Sequence, residues 1–283
     1  MGRGPAPGVS GRVVATRPVV TVDADRRRHR VDALAVEEPM EIRVDGDAVS
    51  VTMRTPGDDF ELAVGFCLTE GILDAPGDVV TVRYCAGKSQ DPAEPNTYNI
   101  VDVGRRSPAP VAPSLRRNVY TASSCGLCGT ASIDAVRKRV PDVAADPLEM
   151  PVDVVRSLPD RVRSAQRVFD RTGGLHAAAL FDAGGGLRCL REDVGRHNAV
   201  DKVVGWAALQ GLLPLGGHAL MVSGRVAFEI VQKALAAHVP MVAAVSAPSS
   251  LAVALAESSG MTLVGFLRGD RMNVYTRADR VPG

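Results

Sequence analysis

Between residues 176 and 267, short apolar runs alternate with segments of helical period. That rhythm confines this half of the chain to a sheet covered by helices, because a strand buried on both faces reads as one continuous apolar run. His176–Phe181 and Leu187–Leu190 read as a strand pair about the Gly184–Gly186 turn. Strands are expected at Ala219–Val222, Met241–Val245 and Thr262–Leu267, and helices at Asn198–Gln210, Val226–His238 and Ser249–Ser259. A further helix is expected at Pro159–Arg171, stopped by Gly173-Gly174. The repeated βα units imply an α/β class with a largely parallel sheet. Only 4% of the residues are aromatic, so Ala, Val and Leu must fill the core.

The first half reads mostly as strands. Met40–Val44 and Val49–Arg54 flank an Asp45-Gly46 turn, a strong hairpin signal, and more strands are expected at Val79–Tyr84 and Thr97–Val103. One helix interrupts them: Asp58 and Glu61 have capping-box spacing after Pro56-Gly57, apolar residues follow to Leu68, and Gly71 closes it. Lys88–Asn96 reads as a surface loop and Ser107–Pro113 as a linker. The expected organisation is a smaller β-rich N-terminal domain at 12–115, a connecting segment at 116–150 and an α/β domain at 151–283. A total of 283 residues accommodates two domains of ordinary size.

The formal net charge is +1, which argues against a nucleic-acid or membrane-surface protein. All but four of the 33 basic residues are arginine, in step with the Ala- and Gly-rich composition. Residues 1–30 lack an apolar signal core and are broken by Pro5, Pro7 and Pro18, so a cytoplasmic protein is expected. The apolar stretches 203–222 and 239–256 are interrupted by Pro214, Pro240 and Pro248, so no membrane span is expected. In a reducing compartment, a close cysteine pair is metal-binding or catalytic rather than structural.

Such a pair exists. Ser123-Ser124-Cys125-Gly126-Leu127-Cys128-Gly129 places two thiols within reach of each other, just ahead of the helical period of Ala131–Val140. A helix N-terminus lowers a thiol's pKa, and Arg116 and Arg117 are near in sequence. A structural zinc site needs about four ligands, yet Cys67, Cys85 and Cys189 are solitary, so no metal is assigned. A thiol-disulfide oxidoreductase pair and a nucleophilic cysteine that carries sulfur as a persulfide both remain open on spacing.

A second constellation is Arg191-Glu192-Asp193-Val194-Gly195-Arg196-His197-Asn198, followed by Asp201 and Lys202. It leaves a strand and opens a helix, and so many acids, bases and amides point beyond capping. Ser223-Gly224-Arg225, Ser246-Ala247-Pro248-Ser249-Ser250 and Phe266-Leu267-Arg268-Gly269-Asp270-Arg271 each follow a strand. In open α/β sheets, ligands bind beyond such strand ends, and these would suit an anionic, nucleotide-bearing molecule. His176 opens a strand, a position more often structural. It invites comparison with zinc deaminases, but the acid two residues on is replaced by Ala178 and the cysteine pair precedes the histidine.

Together, Ser-Cys-Gly-Leu-Cys-Gly, Thr-Gly-Gly-Leu-His, Arg-Glu-Asp-Val-Gly-Arg-His-Asn-Ala-Val-Asp-Lys, Ser-Gly-Arg and Ser-Ala-Pro-Ser-Ser-Leu-Ala closely resemble the FdhD family. These motifs keep the family's order from about residue 35 to 276. The family comprises formate dehydrogenase accessory sulfurtransferases. The resemblance implies persulfide sulfur received from a cysteine desulfurase and passed to the molybdenum cofactor, in its bis(molybdopterin guanine dinucleotide) form. It also implies a cytidine-deaminase-like C-terminal domain without the zinc chemistry. By motif, Cys125 would carry the sulfur with Cys128 assisting, and Phe266, Leu267, Arg268, Gly269, Asp270 and Arg271 would bind the cofactor, joined by Ser223 and Arg225. Formate dehydrogenase would be the partner served. A homodimer is compatible with the sequence, which does not set the oligomeric state. A cofactor-binding chaperone with dispensable cysteines is the contrasting reading.

Overall fold

The structure is a computed structural model that describes residues 13–24, 26–85, 98–108, 110–112 and 141–283. The Cys125/Cys128 segment, Arg116, Arg117 and the Lys88–Asn96 loop lie outside the described residues.

An antiparallel ladder of β1 (Val14–Asp23) and β2 (Arg26–Ala35) comes first, with β2 against a later short helix. A four-stranded sheet follows in the order β4-β3-β6-β5, built from β3 (Glu38–Val44), β4 (Asp47–Arg54), β5 (Val79–Tyr84) and β6 (Ile100–Arg105). The β3–β4 hairpin turns at Asp45 and Gly46, both at positive φ, as an Asp-Gly turn requires. Helix α1 (Asp59–Thr69) covers this sheet, burying Leu62, Ala63, Val64 and Phe66 against Met40, Ile42, Val101 and Val103.

The second sheet has six strands in the order β12-β11-β10-β9-β7-β8. They are β7 (His176–Asp182), β8 (Leu187–Asp193), β9 (His218–Val222), β10 (Met241–Ala244), β11 (Thr262–Arg268) and β12 (Arg271–Thr276). Successive strand residues alternate between faces. Leu180, Leu220, Val222, Val242 and Leu263 pack with α4 (Arg196–Leu209), α5 (Phe228–Ala236) and α6 (Ser250–Ser258). Ala179, Phe181, Met221, Ala243 and Val264 pack on the other side with α2 (Val152–Ala165) and with Leu148 and Met150. A short α3 (Arg167–Thr172) follows α2. Among the described residues, no helix is long and apolar enough to cross a membrane.

Four expectations need correction. The sheet is mixed: β9, β10 and β11 are parallel, but β7, β8 and β12 run antiparallel to their neighbours. Strand β12 was not expected, because an edge strand buried on one face carries only Met272 and Val274 as its apolar signal. The helix expected from Pro159 begins at Val152, with Pro159 inside it, since Val155, Leu158 and Val162 bury one stripe across the proline. Asp58 makes no capping bond to α1 and sits at φ 56. Arg191 instead draws in Asp58 at 3.4 Å and Glu61 at 2.5 Å.

The two sheets are joined through α1 and α4. These helices cross backbone to backbone at Gly65 and Gly205. A Cβ on Gly65 would lie 1.8 Å from the Asp201 carbonyl oxygen, and one on Gly205 1.8 Å from that of Glu61. The close approach is between main chains, so no side-chain motion relieves it. Gly65→Ala and Gly205→Ala are each expected to lower stability by roughly 1–3 kcal/mol or more through overpacking. Gly77→Ala, in open space, should stay near neutral. Denaturant unfolding of the three variants checks this.

Candidate functional site

The parallel arrangement of β9, β10 and β11 brings their carboxyl ends to one edge of the second sheet. Because β7 runs the other way, its first residue, His176, arrives at the same edge. Ser223 ties the two together: its N–H donates to the Ala177 carbonyl at 2.9 Å and its Oγ accepts from the Ala177 N–H at 2.9 Å. The loops beyond β9 and β10 are zipped by Val226 N–H to Ala247 O and by Ser249 N–H to Val226 O. Ser249 Oγ then caps α6 by accepting from the Ala252 N–H at 3.2 Å.

Strand β11 brings up the third loop. Gly265 passes so close to the β10 loop that a Cβ would lie 2.9 Å from Pro248. The Phe266 N–H donates to Ser246 O at 3.1 Å, and Arg268 Nε donates to Val245 O at 2.9 Å. The ladder to β12 shifts register between Gly265 and Arg268, and Phe266 takes up the bulge at φ 51, the residue being 41% exposed. A non-glycine residue in that region is uncommon and costs energy. Phe266, Arg268, Arg271 and Asn273 line a cavity of about 310 Å³. Gly269 and Asp270 form the turn into β12, and Arg225 is exposed on the β9 loop. Leu267 faces the other way and is fully buried in the α2-side core. The structure therefore gathers Ser223, Arg225, Phe266, Arg268 and Arg271 around one edge and leaves Leu267 only its backbone there.

The charged constellation after β8 is spent differently from the ligand-facing role its composition suggests. Asp193 pairs with Lys202 at 2.8 Å and accepts from the Thr55 N–H at 3.2 Å, while Lys202 Nζ donates to Thr55 O at 3.0 Å. Glu192 accepts from the Val168 and Phe169 N–H groups at the start of α3. Asn198 donates to Met53 O at 2.8 Å. Lys233 donates to both Asp201 carboxylate oxygens at 2.9 Å and to Thr69 Oγ1 at 2.9 Å. Burial pushes the Asp201 carboxyl upward, and Lys233 and Thr69 oppose that shift. Glu192 apart, these groups bind the second sheet's layer to α1 and the end of β4. His176 and Arg196 stay near the site, where a Cβ on Gly224 would lie 3.3 Å from His176 Nδ1 and 3.6 Å from Arg196 Cδ.

Sequence reasoning missed the concavity beside this edge. Pro159, Arg163, Gln166, Phe169, His176 and Ser223 are among the residues that line a cavity of about 590 Å³ between α2, α3 and the strand ends. Gly173-Gly174, His176 and Ser223 were noted in the sequence, but separately, as a helix stop, a strand start and a strand-end loop. Among the described residues, no group of three or more His, Cys, Asp or Glu could hold a metal ion. Cys67 and Cys189 are buried, and burial pushes both thiols up, Cys189 to about 12. Buried thiols held neutral in this way are poor nucleophiles.

The FdhD/NarQ family profile matches residues 35–282. The chain belongs to the FdhD/NarQ family. It is 56% identical over 275 residues to the sulfur carrier protein FdhD of Mycolicibacterium paratuberculosis, covering 95% of this chain and 99% of that one. Its identity to the sulfur carrier protein FdhD of Mycobacterium tuberculosis is 54% over 276 residues, covering 96% and 99%. The fold is shared with a crystal structure from Desulfotalea psychrophila, of a protein assigned as a formate dehydrogenase accessory protein. That match has a TM-score of 0.75 at 23% identity and covers 95% of this chain and 99% of that one. The FdhD/NarQ motifs read from the sequence thus map onto the loops after β8, β9, β10 and β11, with the cysteine pair outside the described residues.

His176 offers a test of this edge. Burial, and then the Arg196 charge, hold its imidazole below the ordinary value of 6.5, with Asp193 opposing. Stability from the neutral ring is therefore complete above about pH 6.5 and is lost as pH falls toward the depressed folded-state value. His176→Gln is expected to lose part of that acid-side slope, measured by urea unfolding between pH 8 and pH 5.5.

Proposed function

We propose that this chain is a sulfur carrier that matures a formate dehydrogenase, receiving persulfide sulfur from a cysteine desulfurase and passing it to the molybdenum cofactor. The observation that carries the reading is the near full-length identity, 54–56%, to relatives named sulfur carrier protein FdhD. The cofactor, as bis(molybdopterin guanine dinucleotide), is the substrate. In the loading step the Cys125 thiolate attacks the outer sulfur of a donor persulfide, and the donor cysteine leaves as a thiolate. Cys128 assists from three residues away. Burial makes Cys67 and Cys189 poor candidates for this chemistry, and Cys85, which is half-buried, stands outside the Cys-Gly-Leu-Cys motif.

The edge around β9–β11 supports an anionic substrate. The N-termini of α5 and α6 follow the strand ends, and helix N-termini favour phosphate. Arg225, Arg268 and Arg271 add cationic side chains suited to phosphate. In this reading the six-stranded unit at 151–283 is a cytidine-deaminase-like domain stripped of zinc chemistry. The 12–115 unit is a second, β-rich domain, and 116–150 connects them and carries the sulfur. The protein works in the cytoplasm, without nucleic acid or membrane.

After incubation with a desulfurase and cysteine, intact-protein mass spectrometry should show added sulfur on the native chain and none on Cys125→Ala, which should also fail to activate formate dehydrogenase. Cys128→Ala should be impaired less. Full activation by Cys125→Ala would leave a cofactor-binding chaperone as the better reading. For the substrate edge, calorimetry should find GDP binding more tightly than guanosine, with added salt weakening it. Arg271→Ala should lose GDP affinity while Cys125→Ala keeps it.

A further inference from the structure

The ribbon of β1 and β2 pairs with neither of the larger sheets. A two-stranded ladder is at best marginally stable in water, so a long exposed one is short of cover. At its base, the Val36 N–H donates to the Val13 carbonyl at 3.0 Å. There β2 also contacts α3, and a Cβ on Gly174 would lie 3.6 Å from Ala35 Cβ. Toward the tip, every residue from Arg26 to Val31 is exposed.

Register sorts the side chains, because directly opposed residues share a face. One face carries Arg26, Arg28 and Arg30 opposite Asp23, Thr21 and Val19. The other carries Arg27, His29 and Val31 opposite Val22, Val20 and Pro18, and Val20, Val22 and Val31 are 48%, 61% and 70% exposed. Asp32 is taken by Arg30 at 3.3 Å, while among the described residues Arg26, Arg27 and Arg28 have no ion pair. In a chain of net charge +1, the run Arg26-Arg27-Arg28-His29-Arg30 is a marked local excess of cations. The two edges of the ribbon also differ. In an antiparallel ladder alternate N–H and C=O groups point outward, and on β1 Pro18 supplies no donor. Strand β2 contains no proline, and among the described residues no backbone group of Arg26–Val31 bonds outside the ribbon.

We propose that the outer edge of β2, from Arg26 to Val31, docks an extended acidic segment of a partner protein, which adds as a third strand. Backbone bonds along the open edge hold such a strand, and its alternate side chains set specificity. Acidic residues on one face meet Arg26, Arg28 and Arg30, whose guanidinium groups suit carboxylates. Apolar residues on the other face lie beside Val31 and extend the surface of Val20 and Val22. A nucleic acid would use the arginines and leave the valines bare. A lipid surface taken up by the valine face would leave Arg26, Arg28 and Arg30 pointing away from it. An acidic and apolar strand engages both faces and the open backbone together, and that match selects it.

The test is fluorescence anisotropy on the full chain with a labelled, capped peptide of about six residues that alternates Glu and Val. The peptide should bind, and added salt should weaken it. Reversing two charges, Arg26→Glu with Arg28→Glu, should weaken it roughly tenfold, the scale of two exposed ion pairs turned repulsive. A peptide of the same charge with N-methylated backbone should also bind more weakly, because it cannot donate along the edge. Both arginines are exposed and outside the two cores, so the melting temperature should stay unchanged. If the double variant does not fold, Arg28→Ala replaces it, with a loss of a few-fold expected. No binding of the alternating peptide, equal affinity in the arginine variants, or full binding of the N-methylated peptide would overturn the proposal. Tighter binding of duplex DNA or of phosphatidylserine vesicles, lost in the same variants, would overturn it in favour of those partners. A dimer that dissociates in the variants by ultracentrifugation, with no peptide bound to the native chain, would assign the edge to a second copy instead.

Discussion

Two helices that touch through their backbones hold this molecule together. Gly65 of α1 and Gly205 of α4 let the main chains meet where any side chain would collide. Because α1 lies on the four-stranded sheet and α4 on the six-stranded one, that contact sets the spacing between the two sheets. At such separation the flanking polar groups lose their water, and each must find a partner. Asp193 with Lys202, and Asp201 with Lys233 and Thr69, are the result. Removing one member of such a pair strands a buried charge, which typically costs about 3–5 kcal/mol.

This explains why a charge-rich stretch at a strand-to-helix junction is not itself the ligand site. Arg191, Asp193, Asp201 and Lys202 point into the seam between the sheets, where they lock α4 in place, while Glu192 holds the start of α3. Once α4 is fixed, so is Arg196 at its start, which approaches His176 and Gly224 on the edge. The seam and the site thus share one motif, the first using its carboxylates and amides and the second what remains.

The edge depends on strand direction. Three parallel strands carry their following loops to one side, and the antiparallel β7 delivers His176 to that side by its beginning rather than its end. The loops are then bound to one another by backbone hydrogen bonds, which gives a stiff frame for exposed side chains. The strained Phe266 is the exception, held at positive φ by the shift in register toward β12. Such strain persists only where surrounding structure enforces it, and here the Phe266 N–H bond to Ser246 and the Gly265–Pro248 contact do so.

Much of this was legible in the sequence, because local patterns encode local structure. Apolar runs marked the β7, β9, β10 and β11 strands, Asp45-Gly46 marked its hairpin, and the order of the motifs marked the family. The sequence by itself also determined that Ser223 and Arg225 follow a strand, whereas Phe266–Arg268 lie within the end of β11 and Arg271 opens β12. It did not determine strand direction at the sheet's margins, where β12 carries too short and too alternating a pattern, or the true start of α2, where a buried stripe overrides Pro159. Nor could it show that Asp58 and Glu61 serve Arg191 rather than a helix cap, since the partner is 130 residues from Glu61. Nothing in the sequence singled out Gly65, Gly205 or Gln166. Only the tertiary structure gave them meaning, because close approach and a buried donor left unpaired, as at Gln166 Nε2, are properties of what surrounds a residue.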